Sequence, residues 1–401
     1  MTLGAGAADK VPRRLAAALA LLLFFSVLSL WVRERWALGL FQAGIFLLGI
    51  LWAAGWGAGR LPVRTSFLFL PLTAAAAWGL LQLAVQSTVY RLDTWNSVLS
   101  WLSAIVLVFL SMQALDKDQT RHRLLRALLY FGFAVSVLAT TQYFTSHGKV
   151  FWLFPSGYPD ALGPFVYKNN YAAFVELLLP MAVVEALRDR RNAAMLAVMA
   201  GVMYASVVAS ASRAGSILTT AEVFAVLVLA GRRGLVSVRG AGLALLRFAV
   251  LAAIFVAVVG VTGLFERFKQ EDPYVHRREM LQSSLAMARE RPWMGFGLGT
   301  YEKAYPAYAL FDIGLVVNHA HNDWAEWLVE GGAPFLAFLL SVAAWAVAPA
   351  VRSIWGIGVL SVFLHALVDY PMQRLGLAAW VFVLLGALAA ENARGREAVS
   401  P

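Results

Sequence analysis

Apolar runs long enough to cross a bilayer follow one another along almost the whole chain, and no other feature limits its fold as much. A hydrocarbon core is spanned by about 17–25 residues of helix. Within lipid each backbone N–H and C=O must be satisfied inside the segment, which leaves helices as the solution for runs of this length. They are read at 15–32, 36–56, 66–86, 95–115, 124–144, 171–187, 193–211, 215–231, 243–264, 323–347, 353–369 and 375–390. With 60% hydrophobic and only 14% charged residues, the chain carries more apolar surface than a water-soluble core can hide. The expectation is an all-α polytopic membrane protein of about twelve transmembrane helices.

Lysine and arginine set its orientation, because cytoplasmic loops retain the excess of positive charge. With the N-terminus inside, the cytoplasmic segments hold Arg60 and Arg64, the group Lys117, Arg121, Arg123 and Arg126, then Arg188, Arg190 and Arg191, Arg232, Arg233 and Arg239, Arg352, and Arg394 with Arg396. The short outer loops hold fewer: Arg33, Arg35, Arg91, Lys149, Lys168, Arg213 and Arg374. Both termini are thus expected in the cytoplasm, as tails at 1–14 and 391–401, the second disordered after about Asn392. Lys10, Arg13 and Arg14 precede the first apolar run as in a signal peptide, but no small-x-small cleavage pattern follows. The run reads as a retained first helix.

The formal charge of +10 is explained by these loop cations, so nucleic acid is not the expected partner; membrane lipids are. With 0 Cys, disulfides, a thiolate nucleophile and Cys-ligated metals are excluded.

Two outer segments are more than connectors, and long ordered loops usually carry function. One runs from Thr145 to Asn170 and is rich in Gly, Pro and aromatics. The other is a large periplasmic loop at 265–322, between spans 9 and 10, which divides the membrane part into 15–264 and 323–390. Within this loop Asp272-Pro273 reads as a helix cap with proline at the first position, and Tyr274, Leu281, Leu285 and Ala288 form one stripe. The helix should stop at Arg291, ahead of Pro292. Gly295-Phe296-Gly297-Leu298-Gly299 reads as a tight loop and not a nucleotide fingerprint, having no strand and helix around it.

The chemistry-bearing side chains fall on or near the outer side. His319 and His321 immediately precede a helix for which Asp323 and Glu326 have capping-box spacing. The positive end of that dipole disfavours imidazolium, leaving an imidazole there as a proton acceptor. A His-x-His metal pair is the alternative, though no further His or Cys stands at ligand spacing. Arg277 and Arg278 lie in the first turns of the loop helix, where cations are unfavourable unless an anion is present. Arg213, between small residues at a membrane edge, reads as an oxyanion ligand or a snorkelling anchor. Lys168 could meet a phosphate and Asn170 a sugar hydroxyl, or Asn169 or Asn170 simply caps the helix. His365 and Asp369, four apart, read as one face of the eleventh span, and Glu176 and Glu222 are further ionisable groups in spans.

The run His321-Asn322-Asp323-Trp324 into Glu330-Gly331-Gly332, preceded by Arg277 and by Pro292-Trp293-Met294-Gly295, resembles the signature of the O-antigen ligase and polymerase family. Gly163-Pro164-Phe165 with Asn170, Ser212-Arg213-Ala214-Gly215, and His365 through Tyr370 extend the resemblance over roughly 160 to 375. It implies a metal-independent glycosyltransferase of the GT-C type, without cofactor. The donor would be a glycan on undecaprenyl diphosphate and the acceptor a lipid A-core sugar or another glycan, met on the periplasmic side of the inner membrane. The family's histidine and two arginines map onto His321, Arg277 and Arg213, with Lys168, Asn170, Arg278, His319, Asn322 and Asp369 as candidate substrate contacts. Departures are the second histidine, His319, the lysine at 168 and the doubled arginine at 278. A polymerase, a protein O-oligosaccharyltransferase and a flippase for the same lipid-linked sugar are the competing expectations. Transport would call for broken helices or matching halves, and neither is visible in the sequence.

Overall fold

A computed structural model describes residues 10–157, 161–269, 274–311, 314 and 316–397. It is mostly helical. In chain order the first half holds α1 (Lys10–Leu28), α2 (Arg35–Gly57), α3 (Phe69–Ala84), α4 (Arg91–Ala114), α5 (Asp118–Thr145), α6 (Lys168–Arg188) and α7 (Ala193–Ala209). There follow α8 (Arg213–Arg232), α9 (Val238–Val259), α10 (Thr262–Phe268), α11 (Val275–Glu290), α12 (Tyr301–Ala304), α13 (Asp323–Arg352), α14 (Ile357–His365) and α15 (Leu375–Glu397). A two-stranded hairpin, β1 (Lys149–Val150) with β2 (Phe154–Pro155), folds the loop between α5 and α6.

Among the described residues, 9 helices are long and apolar enough to cross a membrane; α3, α7 and the α14 region are shorter apolar helices. α6 is the axis of the bundle, its residues Asn169 through Val184 all buried, and it packs against α7, α8 and α14. By contrast α9 leaves Leu246, Val250 and Ile254 exposed, a face suited to hydrocarbon and unsuited to water.

Helix ends gather into two groups. At one end Arg121 meets Asp118 and Glu391, Arg394 meets Asp118, and Arg233 donates to the carbonyls of Val351 and Arg352. At the other, the loop after α3 meets the glycine loop after α11, Val89 N donating to Phe296 O at 2.9 Å. The side chains around the cavity described below belong to this second end.

One break in a helix shapes that end. Inside α13, Gly332 adopts φ 71° and ψ −175°, which frees carbonyls that a straight helix would satisfy. The glycine loop supplies partners on both sides of the break: Phe296 N donates to Val329 O and Gly297 N to Glu330 O, while Pro292 O accepts from Ala333 N. Gln82, a lone amide in α3, donates through Nε2 to the carbonyls of Met294 and Glu330 and accepts from Leu298 N. Gly295, Gly297 and Gly299 all have positive φ. A Cβ on Gly297 would lie 2.1 Å from Oγ1 of Thr88, so only glycine fits.

Four sequence readings change. The loop helix ends at Glu290 with Arg291 as its C-cap, as Pro292 requires, but its buried stripe is Met280, Ser284, Met287 and Ala288, while Leu281 and Leu285 are exposed. The partner surface, Tyr301, Tyr305 and Val329, chose that face. The Asp272-Pro273 cap lies outside the described residues. Before α13 the cap is Asn322, whose side chain accepts from Ala325 N; Asp323 instead accepts from Met372 N. The helix of the last span runs on to Glu397 where the sequence reads as a disordered tail after about Asn392, and the eleventh helix stops at His365.

Candidate active site

Three helices present cations at their N-termini to one cavity of about 240 Å³. Lys168 is the first residue of α6, Arg213 the first of α8, and Arg277 lies in the first turn of α11. A cation at a helix N-terminus opposes the dipole, and a nearby anion offsets that cost. With Arg267 the described lining carries four cations and no carboxylate. Arg213 is steadied by donating Nη1 to Arg267 O at 3.0 Å. Its guanidinium lies 4.6 Å from the centre of the Tyr274 ring, and that of Arg277 lies 5.9 Å from the same ring.

Behind Arg277 is a buried carboxylate. Oδ2 of Asp369 accepts from Arg277 Nη2 at 2.9 Å, from the Tyr167 hydroxyl at 3.0 Å, and from Asn169 Nδ2. Ser212, the cap of α8, donates to Oδ1 of Asn169 at 2.7 Å, so the amide ties two helix starts to one carboxylate. Arg277 Nη1 donates to Val368 O at 2.7 Å. Oδ1 of Asp369 accepts from Tyr370 N and faces Nδ1 of His321 at 3.4 Å.

The turn that carries Asp369 is held by the start of α13, where Asp323 N donates to the carbonyls of Ala366 and Asp369. His321 stands two residues before Asp323 and is drawn to the same place. Its φ is 50°, a left-handed conformation that L-residues keep only when their surroundings impose it. Here they do: Glu326 accepts from Ala320 N at 2.7 Å and pairs with His319 Nδ1 at 2.9 Å. His321 meets Tyr167 and Tyr370 edge-on. With Nδ1 turned to Asp369, Nε2 is the ring nitrogen that faces away from that carboxylate.

Burial raises the Asp369 carboxyl, but His321, Arg277 and His365 outweigh it and hold the group well below the usual carboxylate range. Burial, with the Asp369 charge beside it, pushes the Tyr167 hydroxyl well above its ordinary value. That keeps it a donor.

Of the residues singled out in the sequence, Lys168, Arg213, Arg277, His321 and Asp369 converge. His319 is close by, but engaged with Glu326 and stacked on Tyr370 at 4.4 Å. Arg278 is exposed and outside the cavity lining. Asn170 is buried, but Asn169 takes the place expected for it in the lining. Neither asparagine caps α6, whose N-cap is Tyr167 with no side-chain capping bond. Asn322 is occupied as a cap. His365 and Asp369 do not act as a pair on one face: His365 turns to Glu176 at 2.7 Å, both wholly buried in the bundle, and Asp369 leaves with the turn. The two histidines face different carboxylates, and among the described residues no three His, Asp or Glu side chains form a metal-holding group.

Sequence reasoning passed over Tyr167, Arg267 and Tyr370, and took Asn169 only for a cap. Tyr167 and Asn169 flank Lys168, so proximity to a chosen cation was the available signal; for Arg267 there was none.

The profile of a family described as O-antigen ligase matches residues 194–340, a narrower stretch than the resemblance read from the sequence. It includes Arg213, Arg277, His319 and His321 and leaves out Lys168, Asn169 and Asp369. Among curated proteins none matches the chain.

Proposed function

We propose, from the match of residues 194–340 to a family described as O-antigen ligase, that the chain moves a glycan from undecaprenyl diphosphate to an acceptor hydroxyl at the periplasmic face of the inner membrane, by single displacement with inversion. The observation that carries the reading is the cavity where three cation-bearing helix starts meet beside an Asp–His pair. A diphosphate leaving group needs its growing charge neutralised, and preorganised guanidinium groups do this in a partly dry site.

Each residue has a task in this reading. Arg213, Arg277 and Lys168 hold the diphosphate, with Arg267 behind Arg213. His321 Nε2 takes the proton of the acceptor hydroxyl, a contribution typically of about 10²–10⁴-fold. The acceptor oxygen forms its bond to the anomeric carbon as the bond from that carbon to the phosphate oxygen breaks. The electron pair leaves on undecaprenyl diphosphate, and Asp369 steadies the imidazolium. No metal ion is required, since the guanidinium groups supply the positive charge.

The twelve apolar helices, α1 to α9 with α13, α14 and α15, cross the membrane in alternation. Both termini are then cytoplasmic, and α10 to α12 lie in the periplasm. α3, α7 and α14 are short but run among longer partners, which shield their ends. A lipid A-core sugar is the favoured acceptor; a second lipid-linked repeat, which would make the protein a polymerase, uses the same donor and the same residues.

The test is transfer by purified protein from lipid-linked glycan to lipid A-core or to a second lipid-linked repeat, read by mass spectrometry. Product on lipid A-core, absent with His321→Ala, supports the ligase reading. Full activity of His321→Ala overturns the assignment of the base, and no product on either acceptor overturns the transferase reading.

A further inference from the structure

A second, larger cavity of about 450 Å³ lies on the other side of the histidines, within the size range of small-ligand pockets. We propose that it holds the acceptor and is built for an uncharged, hydroxyl-rich sugar. The inference rests on the transferase reading above and names the substrate class at its second subsite.

One wall is a polar stripe on α4. Asp93, Asn96, Ser97 and Ser100 line the cavity, at spacings of three and four that place them on a single helix face. A helix apolar enough to cross the membrane carries such a stripe at a cost, and polar groups there face protein or a water-filled space. The lining also includes Trp101, on the same helix, and Trp327 from α13, with ring centres 6.4 Å apart. Aromatic faces beside carboxylate, amide and hydroxyl groups suit a sugar ring, which has apolar C–H faces and a polar rim.

Charge separates this cavity from the first. Its lining carries Asp93, Glu302, Glu326 and Glu330 against Arg35 and Arg374, whereas the first is lined by cations alone among its described charged residues. An anion is drawn to the first and gains nothing in the second; a neutral polyol finds acceptors for its hydroxyl protons in the second.

The partition between the cavities is thin and includes the proposed base. His319 lines the second cavity and stacks on Tyr370, and Tyr370 stacks on Tyr167 at 5.3 Å, which lines the first. His321 stands edge-on to both tyrosines, with ring centres 5.9 Å and 4.9 Å away. His321 is thus in ring contact with Tyr167, which lines the first cavity, and with Tyr370, on which His319 of the second is stacked.

The experiment is steady-state transfer from lipid-linked glycan to oligosaccharide released from lipid A-core, with the terminal sugar either neutral or phosphorylated, and undecaprenyl diphosphate binding measured separately. Asn96→Ala should raise the acceptor KM by about fivefold, the loss of one hydrogen bond. Ser97→Trp, which fills the cavity, should lower kcat/KM for the acceptor by about twentyfold or more while donor binding stays within about twofold. The phosphorylated acceptor should be the poorer substrate. Should wild-type protein transfer nothing to this acceptor or to a second lipid-linked repeat, the function itself is wrong and this subsite falls with it. Should wild-type protein transfer while Asn96→Ala keeps its acceptor KM, the subsite alone is wrong, whatever happens to the folding of Ser97→Trp. A phosphorylated acceptor used equally well overturns the assignment to uncharged sugars.

Discussion

The imidazole of His321 lies 3.4 Å from the carboxylate of Asp369, although the long helix α13 and the short α14 separate them in the chain. The other oxygen of that carboxylate binds Arg277. One buried acid thus sets the position of the proposed base and of a proposed diphosphate ligand together.

The two histidines should separate cleanly in a rate assay. His321→Ala is expected to lower kcat by about 10²–10⁴-fold, the range for a positioned acid or base. His319→Ala, which loses its pairing with Glu326 but no contact to the cation cavity, should cost less, about tenfold. Equal losses in single-turnover measurements would argue that the pair acts as a unit.

Asp369→Asn should weaken both catalysis and folding. The variant leaves Arg277 without a counter-charge, and hydrogen bonds to charged groups contribute about 1.5–3 kcal/mol. The carboxyl sits below its usual range in the fold. Its stabilisation is therefore fully present above the ordinary value of about 3.9 and is lost as pH falls toward the depressed one. Thermal unfolding should show a constant gap between wild type and variant from about pH 5 to 8, closing only in stronger acid.

The arginines are expected to differ in kind. Arg213→Ala should raise the donor KM by about tenfold or more, since its guanidinium lines the cavity, and Arg213→Lys should recover only part of this because the planar fork is lost. Arg278→Ala, at an exposed position outside that lining, should stay within about twofold of wild type. Donor titrations on the three variants decide the matter.

Gly297→Ala should destabilise the end of the bundle that carries the glycine loop without touching the cation cavity. The position has φ 111°, and its new Cβ would press on Thr88, so about 1–3 kcal/mol of strain is expected. The readout is a lowered unfolding temperature with donor affinity retained in the folded fraction.

Several of these features were legible before any coordinates. Run length alone located the apolar helices, because a bilayer demands a fixed rise. Pro292 marked the end of α11 by removing a donor, and the spaced glycines marked a tight loop. His321, Arg277, Arg213, Lys168 and Asp369 could be picked out because ionisable groups are expensive near lipid. Which of them meet could not be read, since partners distant in the chain are selected by packing and not by local pattern. His365 and Asp369 share a helical spacing, yet the helix ends between them and each turns elsewhere. Asn169 displaced Asn170, the cap moved from Asp323 to Asn322, and the buried face of α11 rotated away from its leucines, each because a neighbouring element offered the better partner. Local chemistry along the chain thus determined the helices and the candidate reactive groups, while the meeting of α4, α6, α8, α11 and α13 at one end of the bundle decided the cavities between them.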